Sequence, residues 1–160
     1  MKPIAIILVI VCLAAFTGIA YMYMNAVIEV TDVKTVIFEA GTQQALFDEL
    51  KTQTDEKRLI GTMFADDMPQ KSDDLVFLQY TVSLANNTFL NAEEAEIQIT
   101  PVSGDILQIG ETQPADIRAH EAGNVQAVLL THGDTKNIRE LTVTYYLWGI
   151  PFRYTTTSGR

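Results

Sequence analysis

Hydrophobic and polar positions divide this chain into two unlike parts. From Pro3 to Ile28 no residue carries a charge; Lys2 precedes the run, and Glu29 and Asp32 are the first charges after it. Its centre, IAIILVIVCLAAFTGIAYMYM, has no polar face, which argues against a core helix of a soluble protein. About 21 helical residues at roughly 1.5 Å each give about 32 Å, against a hydrocarbon core of about 30 Å. Ten residues between Ile4 and Met24 are Ile, Leu, Val or Phe. At the usual insertion scale they contribute an upper bound of about −3 to −6 kcal/mol, with no charge opposing them. The pattern predicts a single transmembrane helix over residues 1–24, in contact with membrane lipid through residues 4–24. Tyr21 and Tyr23 fall where an amphipathic ring sits at headgroup level.

Beyond the run the period changes to two. Asn25 to Phe38 is rich in Val, Ile and Thr, with its alternation broken between Asp32 and Lys34, which predicts a bulge or two short strands. In LVFLQYTVSLANN, residues Val76, Leu78, Tyr80, Val82 and Leu84 share one face, and Asn86-Asn87 ends the strand. Ala95, Ile97 and Ile99 alternate with Glu94, Glu96, Gln98 and Thr100. The turn Ser103-Gly104-Asp105 leads into Ile106 to Ile109. NVQAVLLT is closed by His132-Gly133-Asp134, and RELTVTYYLWGIPFRYTTT contains Gly149 and Pro151, which mark a bend or an edge. One short helix is expected at QQALFDELKTQ, with Thr42 as N-cap and Leu46, Phe47 and Leu50 on one face. The polar stretch from Thr54 to Asp74 reads as a loop with one short strand. Six or seven strands with turn signals every eight to twelve residues predict a mainly β fold, an antiparallel β-sandwich over residues 25–160.

The apolar run has a competing reading as a secretory signal. Gly18-Ile19-Ala20 puts small residues at the −3 and −1 positions of a cut after Ala20. Against cleavage, the run continues through Tyr21, Met22, Tyr23 and Met24, an unusual mature N-terminus. The α-amine and Lys2 flank its start and no basic residue follows before Lys34. The positive-inside rule therefore predicts a cytoplasmic N-terminus with the remaining chain outside. Val11 stands before Cys12, where lipidation wants a small residue. With that sole cysteine in lipid, the outer domain has neither disulfides nor thiolate metal sites.

Charge narrows the function classes. The chain has 11 basic and 20 acidic residues, a net charge of −9. An acidic domain is repelled by DNA, RNA and anionic lipid headgroups, so no nucleic-acid role is expected. No Gly-x-Ser-x-Gly elbow, P-loop or dinucleotide fingerprint occurs in the sequence. His120 and His132 have no partner at ligand spacing and read as turn residues. Asp66-Asp67 and Asp73-Asp74 bracket MPQKS without the alternation of a calcium loop, and read as solvated charge. Glu93, Glu94 and Glu96 line the wet face of a strand. Asn86-Asn87-Thr88 matches the N-glycosylation pattern. Among Tyr145, Tyr146, Trp148, Phe152 and Tyr154, alternation sets Tyr146 and Trp148 opposite Tyr145 and Leu147. The candidate interaction surface is accordingly Tyr146, Trp148, Phe152 and Tyr154, weighed against simple core filling. No catalytic residue, cofactor or metal is implied.

LQYTVSLANNTFLNAEEAEIQI, GDILQIGETQ and ADIRAHEAGNVQAVLL, with the closing YYLWGIPF, resemble the late-embryogenesis-abundant type 2 (WHy) domain, over about Leu75 to Phe152. Where that family frequently carries Asn-Pro-Asn, this chain has Asn86-Asn87-Thr88. The resemblance implies an immunoglobulin-like sandwich, often behind an anchor, with no catalytic residues. The expectation is a non-catalytic, membrane-anchored interaction or accessory module at the cell envelope with a protein partner. The alternative is a secreted ligand-binding or hydrolytic module.

Overall fold

The lack of a polar face runs the start of the chain into one helix. The computed structural model, which describes residues 2–110 and 114–158, places α1 over Lys2–Met24. Its apolar stretch from Pro3 to Met24 is long enough to cross a membrane; no residue in it is fully buried, and Ala20 and Met22 near its end are half-buried. Inside it, the Thr17 hydroxyl donates to the Leu13 carbonyl at 2.8 Å, which keeps that group paired within the helix. Asn25 ends the helix: its side-chain amide and its backbone N–H both donate to the Tyr21 carbonyl, at 2.8 and 3.2 Å.

Among the described residues nine strands follow: β1 (Glu29–Glu39), β2 (Gly61–Met63), β3 (Leu75–Ala85), β4 (Ala92–Ile99), β5 (Asp105–Ile109), β6 (Ala115–Ile117), β7 (Ala122–His132), β8 (Glu140–Leu147) and β9 (Ile150–Thr157). They form a five-stranded sheet in the order β1-β3-β7-β5-β2 and a four-stranded sheet in the order β6-β4-β8-β9. Every strand pair is antiparallel. The chain is therefore mainly β, as its alternation predicts. The break at Asp32 is a bulge within one continuous β1, where the register to β3 slips between Val30 and Asp32.

The facing sheets enclose the larger core. Leu78, Tyr80, Val82 and Leu84 of β3 meet Ile97, Ile99, Leu141, Val143, Tyr145 and Leu147, all buried. This is the inner face that the period-two pattern marks out. The outer face of β3 is not uniformly wet, however. Leu75 and Phe77 point the other way and are buried in a second core with Phe47, Leu50, Met68, Ile106 and Leu130. That core lies under α2 (Gln44–Asp55), whose Phe47 and Leu50 face inward while Leu46 is half-buried. Further along β3, Gln79, Thr81 and Ser83 are only half-buried. A helix thus covers one half of the outer sheet face.

Thr42 is not the N-cap of α2. It lies in a 3-10 turn over Ala40–Gln43, Gln43 occupies the cap position with no side-chain hydrogen bond, and the Thr42 hydroxyl donates back to the Glu39 carbonyl at 2.7 Å. The apolar anchors, rather than the cap, set where this helix begins.

The strand registers define two ends of the sandwich. The end reached first from α1 gathers the start of β1 and β4, the end of β3, the tip of the β8–β9 hairpin and the turn before β7. At the far end are the 3-10 turn, the start of β3 and the turn after β7.

Candidate functional site

At the helix-side end, β8 and β9 are joined by two residues, with Leu147 opposite Ile150. The turn residues Trp148 and Gly149 have φ of 59° and 72°, the left-handed pair of a type I′ turn, whose twist matches the strands it joins. Gly149 suits that conformation. An indole at the first position does not, since Asn, Asp or Gly is preferred there. Trp148 is 70 % exposed. At the same end, Phe89 is 78 % exposed and stands edge-on to His120, with ring centroids 5.1 Å apart.

The loop carrying Phe89 is fixed by buried amide chemistry. The Asn86 side chain donates to the carbonyls of Leu90, Ile117 and Arg118 at 2.8 to 3.1 Å. Its carbonyl oxygen accepts from the Thr88 N–H and hydroxyl, at 3.1 and 2.8 Å. Asn86 is 1 % exposed, so the glycosylation pattern is closed off in the folded chain. Its amide holds loops together instead.

The last turn of α1 reaches this end. The rings of Tyr23 and Phe152 lie 5.5 Å apart, and Phe152 stacks in turn on Tyr145 at 5.7 Å. The Ile28 N–H donates to the Tyr145 hydroxyl at 3.2 Å. Burial raises the Tyr145 pKa, against the lowering effect of that backbone bond. Ile19, Met22 and Tyr23 line one small crevice together with Leu147, Trp148 and Ile150.

The four aromatic residues singled out by sequence are accordingly divided. Tyr145 and Leu147 are buried, while Tyr146 is half-buried on the outer sheet face opposite Pro151. Phe152 and Tyr154 pair with the inward-facing Tyr145 and Val143. Phe152 is half-buried in the seam with the helix, and Tyr154 is exposed along the edge strand β9. Trp148 alone projects from a tip. Gly149 marks the hairpin turn and Pro151 lies on edge strand β9, so the bend and the edge are both real.

The far end holds a different arrangement. A cleft of about 770 Å³ is bordered by Glu39, Asp73, Asp74, His132 and Asp134, and the Gly133 N–H donates to the Asp74 carbonyl at 2.7 Å. The chain fold thus brings one acidic pair and one histidine together. Yet among the described residues no three side chains of metal-binding type converge. Asp66 and Asp67 are exposed elsewhere, flanking the buried Met68. Ser72 also borders the cleft, and its hydroxyl donates to Gln44 Oε1 at 2.7 Å.

At the same end, where Asp105 pairs with Thr131, Arg139 Nη2 and Nε meet Asp105 Oδ1 and Oδ2 at 2.6 and 3.0 Å. Both side chains are completely buried. Arg139 Nη1 also donates to the carbonyls of Lys136 and Ile138, and the Val102 N–H donates to Asp105 Oδ2 at 2.8 Å. Next to the pair, the Tyr80 hydroxyl donates to the Asn137 carbonyl at 3.1 Å. Burial raises the Tyr80 pKa, and the Arg139 charge opposes that rise. Sequence reading did not find this pair. Its signal is parity: Arg139 falls on the same inward side as Leu141, Val143, Tyr145 and Leu147. Comparison with known proteins returns no matching family model, no matching curated sequence and no matching solved structure.

Proposed function

We propose that α1 is a membrane anchor, with its N-terminus in the cytoplasm, and that the sandwich is a non-catalytic interaction or accessory module held outside. The observation that carries this reading is the course of α1. It passes Ala20 without a break, is capped at Asn25, and seats Tyr23 on Phe152. A signal segment is released from the mature protein; retention is supported by Ile19, on the far side of a cut after Ala20, which lines one crevice with Leu147, Trp148 and Ile150 of the domain. The non-catalytic role is supported by how the buried polar groups are used: Asn86, Gln108 and Arg139 all hydrogen-bond to main-chain carbonyls. The resemblance to the WHy domain agrees with this reading.

The secreted alternative keeps one specific support, the small residues Gly18 and Ala20. Extraction of membranes with alkaline carbonate, followed by sequencing of the mature N-terminus, separates the two. Retention in the pellet with the segment intact is the expected result. A soluble protein beginning at Tyr21 would overturn the anchor, its orientation and the accessory role together. Arginines in place of Leu8 and Val11 should release the protein, at roughly 2.5 to 3.5 kcal/mol each near a helix centre.

A further inference from the structure

We propose that the helix-side end of the sandwich is itself a lipid-contacting surface. Trp148, with Ile150 and Phe89, rests in the headgroup–acyl boundary of the bilayer that holds α1. The inference builds on the anchor reading above. Phe89 and Trp148 are the most exposed large apolar side chains among the described residues outside α1, and both occupy loop tips at the one end from which the apolar helix leaves. An arrangement of single exposed side chains scattered over the domain would carry no such meaning.

Depth follows from the shared crevice. Trp148 lines it with Ile19, which precedes the end of α1 at Met24 by about 7 to 8 Å of helix rise. A helix that spans the bilayer therefore sets the indole level with its own final turn and a half, where Trp and Tyr are favoured. Tyr21 and Tyr23 occupy the same level on the helix and are exposed. The two-residue turn, with its left-handed φ at Trp148 and Gly149, sets Trp148 at the tip of the β8–β9 hairpin.

Charge selects the lipid. Beyond α1 the chain has twice as many acidic as basic residues, and at this end Glu29 and Glu121 accompany Arg118 and His120. Contact is by apolar insertion into a zwitterionic interface, without help from anionic headgroups.

Trp148 is the single tryptophan of the chain, so its fluorescence reports this site alone. The full chain is reconstituted in phosphatidylcholine vesicles, with and without bromine on the acyl chains near the headgroup. Brominated lipid is expected to remove about half of the emission, with little access for acrylamide, as for an interfacial indole. Adding phosphatidylserine should not strengthen the quenching. In a Trp148→Phe background, Phe89→Trp should give the same response. Free quenching by acrylamide and none by brominated lipid, in protein that survives carbonate extraction, would overturn the surface while leaving the anchor intact. Shielding from both quenchers would assign the tip to protein contact instead and also overturn it. Loss from the carbonate pellet would remove the anchor and the surface together.

Discussion

Arg139 and Asp105 form a two-pronged ion pair between the sheets, each side chain with no exposure to solvent. Such a pair contributes little net stability relative to apolar replacements, yet breaking it leaves an uncompensated charge. Asp105→Ala should therefore destabilise the domain by about 3–5 kcal/mol. Asp105→Leu combined with Arg139→Met should lose much less, although the carbonyls of Lys136 and Ile138 lose their donor. Denaturant unfolding of the detergent-solubilised chain measures both. Equal losses would show that packing, not charge, dominates here.

Two tyrosines give the fold an alkaline limit. An unfolded tyrosine ionises at 10.0, and Tyr80 and Tyr145 ionise above that when folded. Between the two values the unfolded chain has released more protons than the folded one, so stability falls as pH rises. Below about pH 9 these groups give no slope. Unfolding midpoints should be flat with respect to them there and decline above about pH 10. Tyr80→Phe with Tyr145→Phe should remove that part of the decline.

Strand β3 should be sensitive on both faces at its start and on one face further along. Val82→Asp buries a charge in the larger core and should cost several kcal/mol, roughly the scale of an unpaired buried charge. Phe77→Ala, on the opposite face under α2, should cost about 3–5 kcal/mol. Ser83→Asp, on the half-open stretch, should stay well under about 1 kcal/mol. Tolerance at Phe77 would remove α2 from the fold's cooperative unit.

Gly61 is required by the close pairing of β2 with β5. Its φ is 153°, and an added Cβ would collide with the Gln108 carbonyl. Gly61→Ala should destabilise by more than about 1 kcal/mol. Gly41→Ala meets nothing within 4 Å and should change stability by less than about 0.5 kcal/mol. Thermal unfolding of the two variants side by side tests the contrast.

The sequence made the regular half of this structure legible. Alternation in β3 and β4 is a local property, and it marked Leu78 and Ile97 as inward. The second core was half visible: LVFL is apolar at four successive positions, which signals cover on both faces. What covers it depends on where α2 lands, a long-range fact. Thr42 looked like a cap because capping chemistry is local, but packing of Phe47 and Leu50 determined where the helix starts. The candidate aromatic surface was legible as composition and not as geometry. Alternation separated Tyr146 from Tyr145, whereas the approach of Trp148 to Ile19 joins positions too far apart in sequence for any pattern to connect. Phe89 has no periodic signal, since it sits in a loop shaped by the buried Asn86.

Among the described residues strand β1 ends one sheet with no partner on its outer edge, and Val36, Ile37 and Phe38 are exposed along it. In free solution such an edge invites a second copy to pair antiparallel. Two chains held in one membrane with the same orientation are related by a rotation about the membrane normal. Their β1 strands, which both lead away from the helix-side end, then ascend together and cannot run head to tail. Anchoring would thus forbid by symmetry the pairing that the edge otherwise permits, and release from the membrane would restore it.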